Sequence, residues 1–79
     1  MDITVACHAG YRGDERPLSF SMDNREYVIQ EILDSWHGPD YRYFKVRDDH
    51  GDIYILRHDE YRHKWSLDFF RSGNIKKVD

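Results

Sequence analysis

The sequence predicts an all-β fold, a six-stranded antiparallel meander curled into a small SH3-like or open barrel. Three observations lead to this prediction. No segment repeats apolar residues at the spacing of an amphipathic helix over three turns. Short strand-like runs alternate instead with clusters of turn residues. The chain has 79 residues, 15% of them aromatic, so we expect one small domain whose core depends on large side chains.

The first two strands follow from the residue pattern. Residues 3–9 are predicted to form the first strand, and residues 10–17, rich in Gly, Arg and Pro, a loop. Residues 18–22 alternate apolar and polar side chains, so this second strand has one apolar face. That face carries Leu18, Phe20 and Met22.

A tight turn is predicted at Asp23 and Asn24. Both residue types tolerate the left-handed backbone that a two-residue hairpin loop requires. A loop of this length sets the register of the two strands that it joins. It pairs Phe20 with Tyr27 and Leu18 with Ile29.

The rest of the chain is predicted to contain four more strands and a polar tail. Gly38 and Pro39 end the third strand, and residues 60–63 connect the last two. We expect a single small β domain at residues 1–70, followed by a polar and frayed C-terminal tail at residues 71–79. The four strands span residues 26–36, 41–48, 52–59 and 64–70.

The register of the hairpin at residues 41–59 depends on the length of its loop. A loop of residues 50–51 alone would leave neither face of the hairpin apolar. A loop of residues 49–51, a type I turn with Gly51 left-handed in a bulge, gives one apolar face, and we therefore predict it. This register pairs Phe44 with Leu56 and Val46 with Tyr54 on the apolar face, and Tyr43 with Arg57, Lys45 with Ile55 and Arg47 with Ile53 on the other.

The apolar faces of these strands predict the core of the domain. Side chains that alternate toward one side of the sheet pack against each other when the sheet curls. The predicted core consists of Leu18, Phe20, Ile29, Phe44, Val46, Tyr54, Leu56, Trp65 and Leu67.

The opposite face of the hairpin is the candidate binding surface. Cations that follow phosphates and aromatic rings that stack on bases are typical of small β domains that bind single-stranded nucleic acid. The alternative is a solvated face whose cations are balanced by carboxylates, and the net charge of −3 favours it. The surface consists of Tyr43, Lys45, Arg47, Ile53, Ile55 and Arg57. The balancing carboxylates would be Glu26, Asp34, Asp59 and Glu60.

The sequence predicts no catalytic residue, no metal and no cofactor. It contains no nucleophile elbow, phosphate-binding loop or zinc-protease motif. Cys7 and His8 are adjacent on a strand and point to opposite faces, and the close ligand pairs of a structural zinc site are missing. His58 and His63 could converge across a loop, so a small metal-dependent enzyme is the second alternative.

We therefore expect a non-enzymatic interaction module with an unknown protein partner, and a single-stranded nucleic-acid or DNA-repair accessory module as the first alternative. Cys7 has no second cysteine for a disulfide, and the apolar run at residues 53–56 is too short for a membrane span. These observations predict a bacterial, cytoplasmic protein without membrane contact.

The segments "GYRGDERPLSF", "ILDSWHGPDYRYFKVRDDHGDIYILRHDE" and the later W-S-L resemble a family of small bacterial proteins of unknown function. The resemblance covers residues 5–67 and is most specific over residues 36–59. A diverged version of the pattern occurs at the C-terminal end of some Y-family DNA polymerase homologues. The family has no assigned catalytic residues, so the resemblance implies none here, but it implies an association with DNA repair.

Overall fold

The structure, a computed structural model, describes residues 2–8 and 16–72. Each strand pairs antiparallel with the next one along the chain, and the first pairs with the last, so the sheet closes into a barrel. The all-β prediction and the six-stranded meander are confirmed. The strands are β1 (Asp2–His8), β2 (Arg16–Met22), β3 (Arg25–His37), β4 (Tyr41–Asp48), β5 (Ile53–Asp59) and β6 (Lys64–Arg71).

Three predicted features lie partly or wholly outside the described residues. They are the last residue of the first predicted strand, most of the loop at residues 10–17, and the tail from residue 73 onward. The described part of β6 continues to Arg71, one residue into the segment predicted to be tail.

The turn between β2 and β3 has the predicted length and conformation. Asp23 and Asn24 have φ values of 53° and 64°, as the two central residues of a type I′ turn require. Phe20 lies opposite Tyr27 as predicted, but the pairing of β2 with β3 begins at Ser19 and does not include the predicted pair of Leu18 with Ile29. The rings of Phe20 and Tyr27 stack with centroids 5.0 Å apart.

The β4–β5 hairpin has the three-residue loop that its apolar pattern predicted. Phe44 lies opposite Leu56, and Arg47 lies opposite Ile53 at the end next to the loop. Gly51 has a φ of 90°, in the left-handed region that favours glycine. Its backbone N–H donates to the carbonyl oxygen of Asp48 at 3.2 Å, which closes the turn.

The core occupies the inside of the barrel. Six of the nine residues predicted for it are buried, and Ile3 of β1 joins them. Ile29 and Leu67 are partly buried against this cluster, as are Cys7 and Met22. The buried cluster consists of Ile3, Phe20, Phe44, Val46, Tyr54, Leu56 and Trp65.

The prediction of Leu18 as a core residue is wrong, because β2 carries a bulge. Ala6 lies opposite Ser19, but the next residue of β1, Cys7, lies opposite Pro17. Leu18 therefore has no counterpart, and the extra residue reverses the faces of the strand beyond it. Pro17 points into the barrel, and Leu18 is 50% exposed.

Strand β3 is long enough to join two parts of the barrel wall. Its first residues pair with β2, and the segment from Ile29 to His37 pairs with β4. Register shifts after Ile29 and after Ile32 bend the strand around the core. These bulges decide which side chains near its C-terminal end face outward.

Replacement of Gly51 tests the loop conformation. A Cβ at this position would have no heavy atom within 4 Å, so the cost of a side chain comes from the backbone alone. We expect Gly51→Val to lower the free energy of unfolding by about 1–2 kcal/mol. Gly51→Asn should cost less, because Asn tolerates positive φ. Denaturant unfolding measures both, and equal losses would contradict the conformational explanation.

Candidate binding surface

The six residues of the predicted surface lie side by side on the outside of the barrel. On β4 they are Tyr43, Lys45 and Arg47, and their opposite neighbours on β5 are Arg57, Ile55 and Ile53. The residues between them along both strands are buried in the core. Since neighbouring side chains of a strand point to opposite faces, all six point away from the core.

Aromatic residues of β3 and β6 extend this surface beyond the hairpin. Trp36 lies opposite Tyr43, and their rings are stacked with centroids 5.3 Å apart and an interplanar angle of 9°. On the other side Phe69 lies opposite Ile55. Trp36 is 40% exposed and Phe69 is 45% exposed, so two large apolar side chains border the hairpin.

We call this surface the outer strip. Sequence reasoning missed Trp36 and Phe69 because bulges in β3 and β6 shift the register before each residue. The one feature of the sequence that could have indicated this wider surface is the presence of Trp and Phe near the ends of strands. The outer strip consists of Trp36, Tyr41, Tyr43, Lys45, Arg47, Ile53, Ile55, Arg57 and Phe69.

Both arginines of the outer strip have partners next to them. Arg47 donates a hydrogen bond to the carboxylate of Glu31 on β3. Arg57 donates to the Ser66 hydroxyl at 3.2 Å, and its guanidinium lies 3.8 Å from the Asp68 carboxylate. The carboxylates next to the two arginines are thus Glu31 and Asp68, which were not among the four acidic residues expected from the sequence.

An aromatic ring also holds Arg57 in place. Its guanidinium carbon lies 4.7 Å from the centroid of the Tyr41 ring, a cation–π arrangement. Lys45 lies opposite Asp34 on β3, so acidic and basic side chains face each other across the strip. The outer strip is therefore an aromatic and aliphatic surface whose charges are largely balanced.

A second polar group lies under the β4–β5 loop, around Asp48. This residue and Tyr54 are both 1% exposed. One carboxylate oxygen of Asp48 accepts hydrogen bonds from the backbone N–H groups of His50 and Asp52, each at 2.9 Å. The other accepts the Tyr54 hydroxyl at 2.8 Å. The sequence placed Asp48 at the end of a predicted strand, next to the loop, but gave no sign that it is buried.

Tyr54 is held in its neutral form by its surroundings. Burial of the hydroxyl is the larger cause, and the hydrogen bond to the Asp48 carboxylate adds to it. Together they raise the pKa of Tyr54 above the ordinary value of a tyrosine. Ionisation of Tyr54 would place a phenolate beside a carboxylate in the core, so the folded state resists it.

The described residues include one group of three potential metal ligands, Asp48, Asp49 and His50, whose ligand atoms lie within 4.8 Å of each other. The backbone and Tyr54 already use both oxygens of Asp48. His58 and His63 approach each other with ring centroids 6.4 Å apart. The His58 ring stacks on Trp65 at 4.3 Å, so packing explains its position.

Comparisons with protein-family models, with curated proteins and with solved structures gave no match to this chain. No helix among the described residues has the length and apolar character that a membrane crossing needs. The function must therefore be argued from the geometry of the barrel itself.

The pH dependence of stability tests the Asp48–Tyr54 contact. In the unfolded chain Tyr54 loses its proton near pH 10, whereas the folded chain retains it to a higher pH. The unfolded state then binds fewer protons, so the free energy of unfolding declines as the pH rises above about 10. We expect a smaller decline in Tyr54→Phe, measured by denaturant unfolding at several pH values.

At neutral pH Tyr54→Phe should lower the free energy of unfolding by about 1–3 kcal/mol, because Asp48 loses a hydrogen-bond donor. Tyr61→Phe is the matched control, since that ring is largely exposed, and it should behave as the unaltered chain. The same alkaline decline in Tyr54→Phe as in the unaltered chain would show that Tyr54 does not cause it.

Proposed function

We propose that the chain is a non-enzymatic binding module that docks a protein partner on the outer strip. The observation that carries the proposal is the position of Trp36, Ile55 and Phe69. They lie on the outside of a barrel whose interior other side chains already fill. Large apolar side chains that lie outside a filled core are typical of a surface that a partner covers.

The charges of the outer strip favour a protein partner over nucleic acid. Glu31 and Asp68 already neutralise Arg47 and Arg57, and the whole chain has a net charge of −3. Phosphate binding depends on cations that are free to replace counterions. A partner with an apolar patch bordered by charges of both signs fits this surface better.

The aromatic and arginine content of the strip also suits protein binding. Trp, Tyr and Arg are enriched among the few residues that dominate the binding energy of protein interfaces. Trp36 stacked on Tyr43 provides a rigid pair of rings, and Arg57 is fixed against Tyr41. Such side chains lose little conformational freedom on binding. We place this module, as part of the same proposal, in the bacterial cytoplasm.

Loss of the two stacked rings tests the docking surface. A photoreactive residue at Ile55 would capture the partner in cells, and the purified partner would then be titrated with variants of the barrel. We expect Trp36→Ala and Tyr43→Ala each to weaken binding by about tenfold or more, as removal of a central interface residue does.

Val28→Ala is the matched control, because Val28 is an exposed apolar residue of β3 outside the outer strip. It should leave the affinity unchanged. A partner that binds Trp36→Ala and Tyr43→Ala as tightly as the unaltered chain would place the docking surface elsewhere. Far-ultraviolet circular dichroism of each variant checks that the barrel stays folded.

Single-stranded nucleic acid is a second candidate ligand, favoured by one observation. The parallel rings of Trp36 and Tyr43 lie beside Lys45, an arrangement that can stack a base and contact a phosphate. The resemblance of residues 36–59 to the polymerase-associated pattern supports the same candidate, with a role in DNA repair.

Charge reversal separates this candidate from the protein partner. If the strip binds an oligonucleotide, Lys45→Glu combined with Arg47→Glu should abolish binding while the fold persists. The affinity of the unaltered chain should also fall as salt is added, because phosphate contacts release counterions. No binding of single-stranded DNA or RNA to the unaltered chain at low salt rejects this candidate.

A further inference from the structure

The two strands that carry most of the outer strip have neighbours on both sides. Strand β4 pairs with β3 and with β5, and β5 pairs also with β6. Their backbone N–H and C=O groups are therefore engaged within the sheet, and a partner segment cannot join them as an added strand. A segment that docks on the outer strip must be held by side chains.

One row of side chains crosses the outer strip from strand to strand. Trp36 of β3 lies opposite Tyr43 of β4, and Tyr43 lies opposite Arg57 of β5. Neighbouring strands are about 5 Å apart, so the backbones at the two ends of this row are about 10 Å apart. We call these three residues the cross-strand row.

The aromatic end of the cross-strand row is held in place by its neighbours. The rings of Trp36 and Tyr43 are nearly parallel, with an interplanar angle of 9°. A Cβ at Gly38 would lie 3.1 Å from Cε1 of Tyr43, so the absence of a side chain there leaves room for this ring. Trp36 remains 40% exposed although it is stacked. The pair is thus an aromatic surface that needs little ordering when a ligand binds.

Arg57, at the other end of the row, is a hydrogen-bond donor with capacity to spare. Its Nε donates to the Ser66 hydroxyl at 3.2 Å. The Asp68 carboxylate balances its charge from 3.8 Å, which is beyond hydrogen-bond distance. Within the described ranges, the terminal nitrogens of Arg57 therefore donate no hydrogen bond and can donate to a backbone carbonyl of a ligand.

A segment held by side chains must keep its own backbone polar groups satisfied. In polyproline II the backbone is fully solvated and its carbonyls remain available as acceptors, and each proline removes an N–H that would need a partner. Three residues of polyproline II span about 9 Å and return to the same face. This repeat matches the roughly 10 Å between the two ends of the cross-strand row.

A helical segment fits this row less well. Helices dock through apolar anchors that recur along one face, whereas the cross-strand row becomes polar after Tyr43, at Arg57 and then at Ser66. Proline-rich segments are recognised instead by exposed aromatic side chains, and polyproline II loses little conformational freedom on binding. The cross-strand row therefore favours a proline-rich ligand.

We propose that the partner binds the outer strip through a proline-rich segment, which adopts polyproline II and crosses β3, β4 and β5 along the cross-strand row. One proline lies on the rings of Trp36 and Tyr43, and a backbone carbonyl about three residues further on accepts a hydrogen bond from Arg57. This inference rests on the docking function proposed above and adds the chemical class of the docked segment.

Synthetic peptides test which conformation the row selects. A polyproline peptide of about ten residues, or three turns of polyproline II, is titrated into the full-length chain beside an alanine-rich helical peptide and an alternating threonine–valine peptide of the same length. All three carry a lysine at each end for solubility. We expect polyproline to bind at least about tenfold more tightly than the other two. In nuclear magnetic resonance the indole N–H signal of Trp36 should shift, whereas that of the buried Trp65 should not.

Two arginine variants provide the matched control. Arg57→Gln removes the donor of the row and should weaken polyproline binding by about fivefold, as the loss of one hydrogen bond does. Arg25→Gln makes the same change at an arginine that also lies near a tyrosine ring, 5.9 Å from the centroid of Tyr27, but outside the outer strip. It should leave the affinity unchanged. Equal losses in the two variants, or undiminished binding of polyproline to Trp36→Ala, would overturn the proposal.

The peptide result and the result for the docking function can be told apart. The partner captured at Ile55 can depend on Trp36 and Tyr43 while no peptide binds, or while the helical or threonine–valine peptide binds as tightly as polyproline. The outer strip is then a docking surface, and the assignment of a proline-rich segment is wrong. Polyproline binding that requires Trp36 and Arg57 supports the assignment, whether or not capture in cells succeeds.

Discussion

The register of the β4–β5 hairpin is the constraint on which the rest of the barrel depends. A slip of one residue would place Phe44 and Leu56 on opposite faces of the hairpin, so that neither face would be apolar and a polar side chain would enter the core. The Asp48 carboxylate opposes such a slip, because it binds two backbone N–H groups of the loop and the Tyr54 hydroxyl together. These three bonds require the observed loop length, so the loop and the core specify the same register.

A fixed register also determines which apolar residues are available for binding. In a domain of this size the core holds few side chains, so part of the apolar residues must lie outside it. Ile53 and Ile55 lie outside because their positions on β5 alternate with the buried Tyr54 and Leu56, and Phe69 lies opposite Ile55 on β6. Strand geometry thus determines which residues form the outer strip. The packing of the core does not explain why so many of these residues are apolar.

Tight turns were predictable from the sequence, whereas bulges were not. Asp23 and Gly51 signal their turns through their own conformational preferences, and each turn fixes the register of a hairpin. The bulge at Leu18 has no such signal, because residues 18–22 alternate apolar and polar side chains without interruption. The sequence likewise did not indicate that Trp36 and Phe69 belong to the outer strip, because both residues follow register shifts that no residue type signals.

Strand β6 contributes side chains to both the outside and the inside of the barrel. Phe69 and Phe70 are neighbours on this strand, so their side chains point to opposite sides of the sheet. Phe69 belongs to the outer strip beside Ile55, and the Phe70 ring lies against the buried Tyr54 ring, with centroids 5.2 Å apart. The contact between Phe70 and Tyr54 holds the backbone that carries Phe69, so packing on the inside of the barrel also positions the edge of the outer strip.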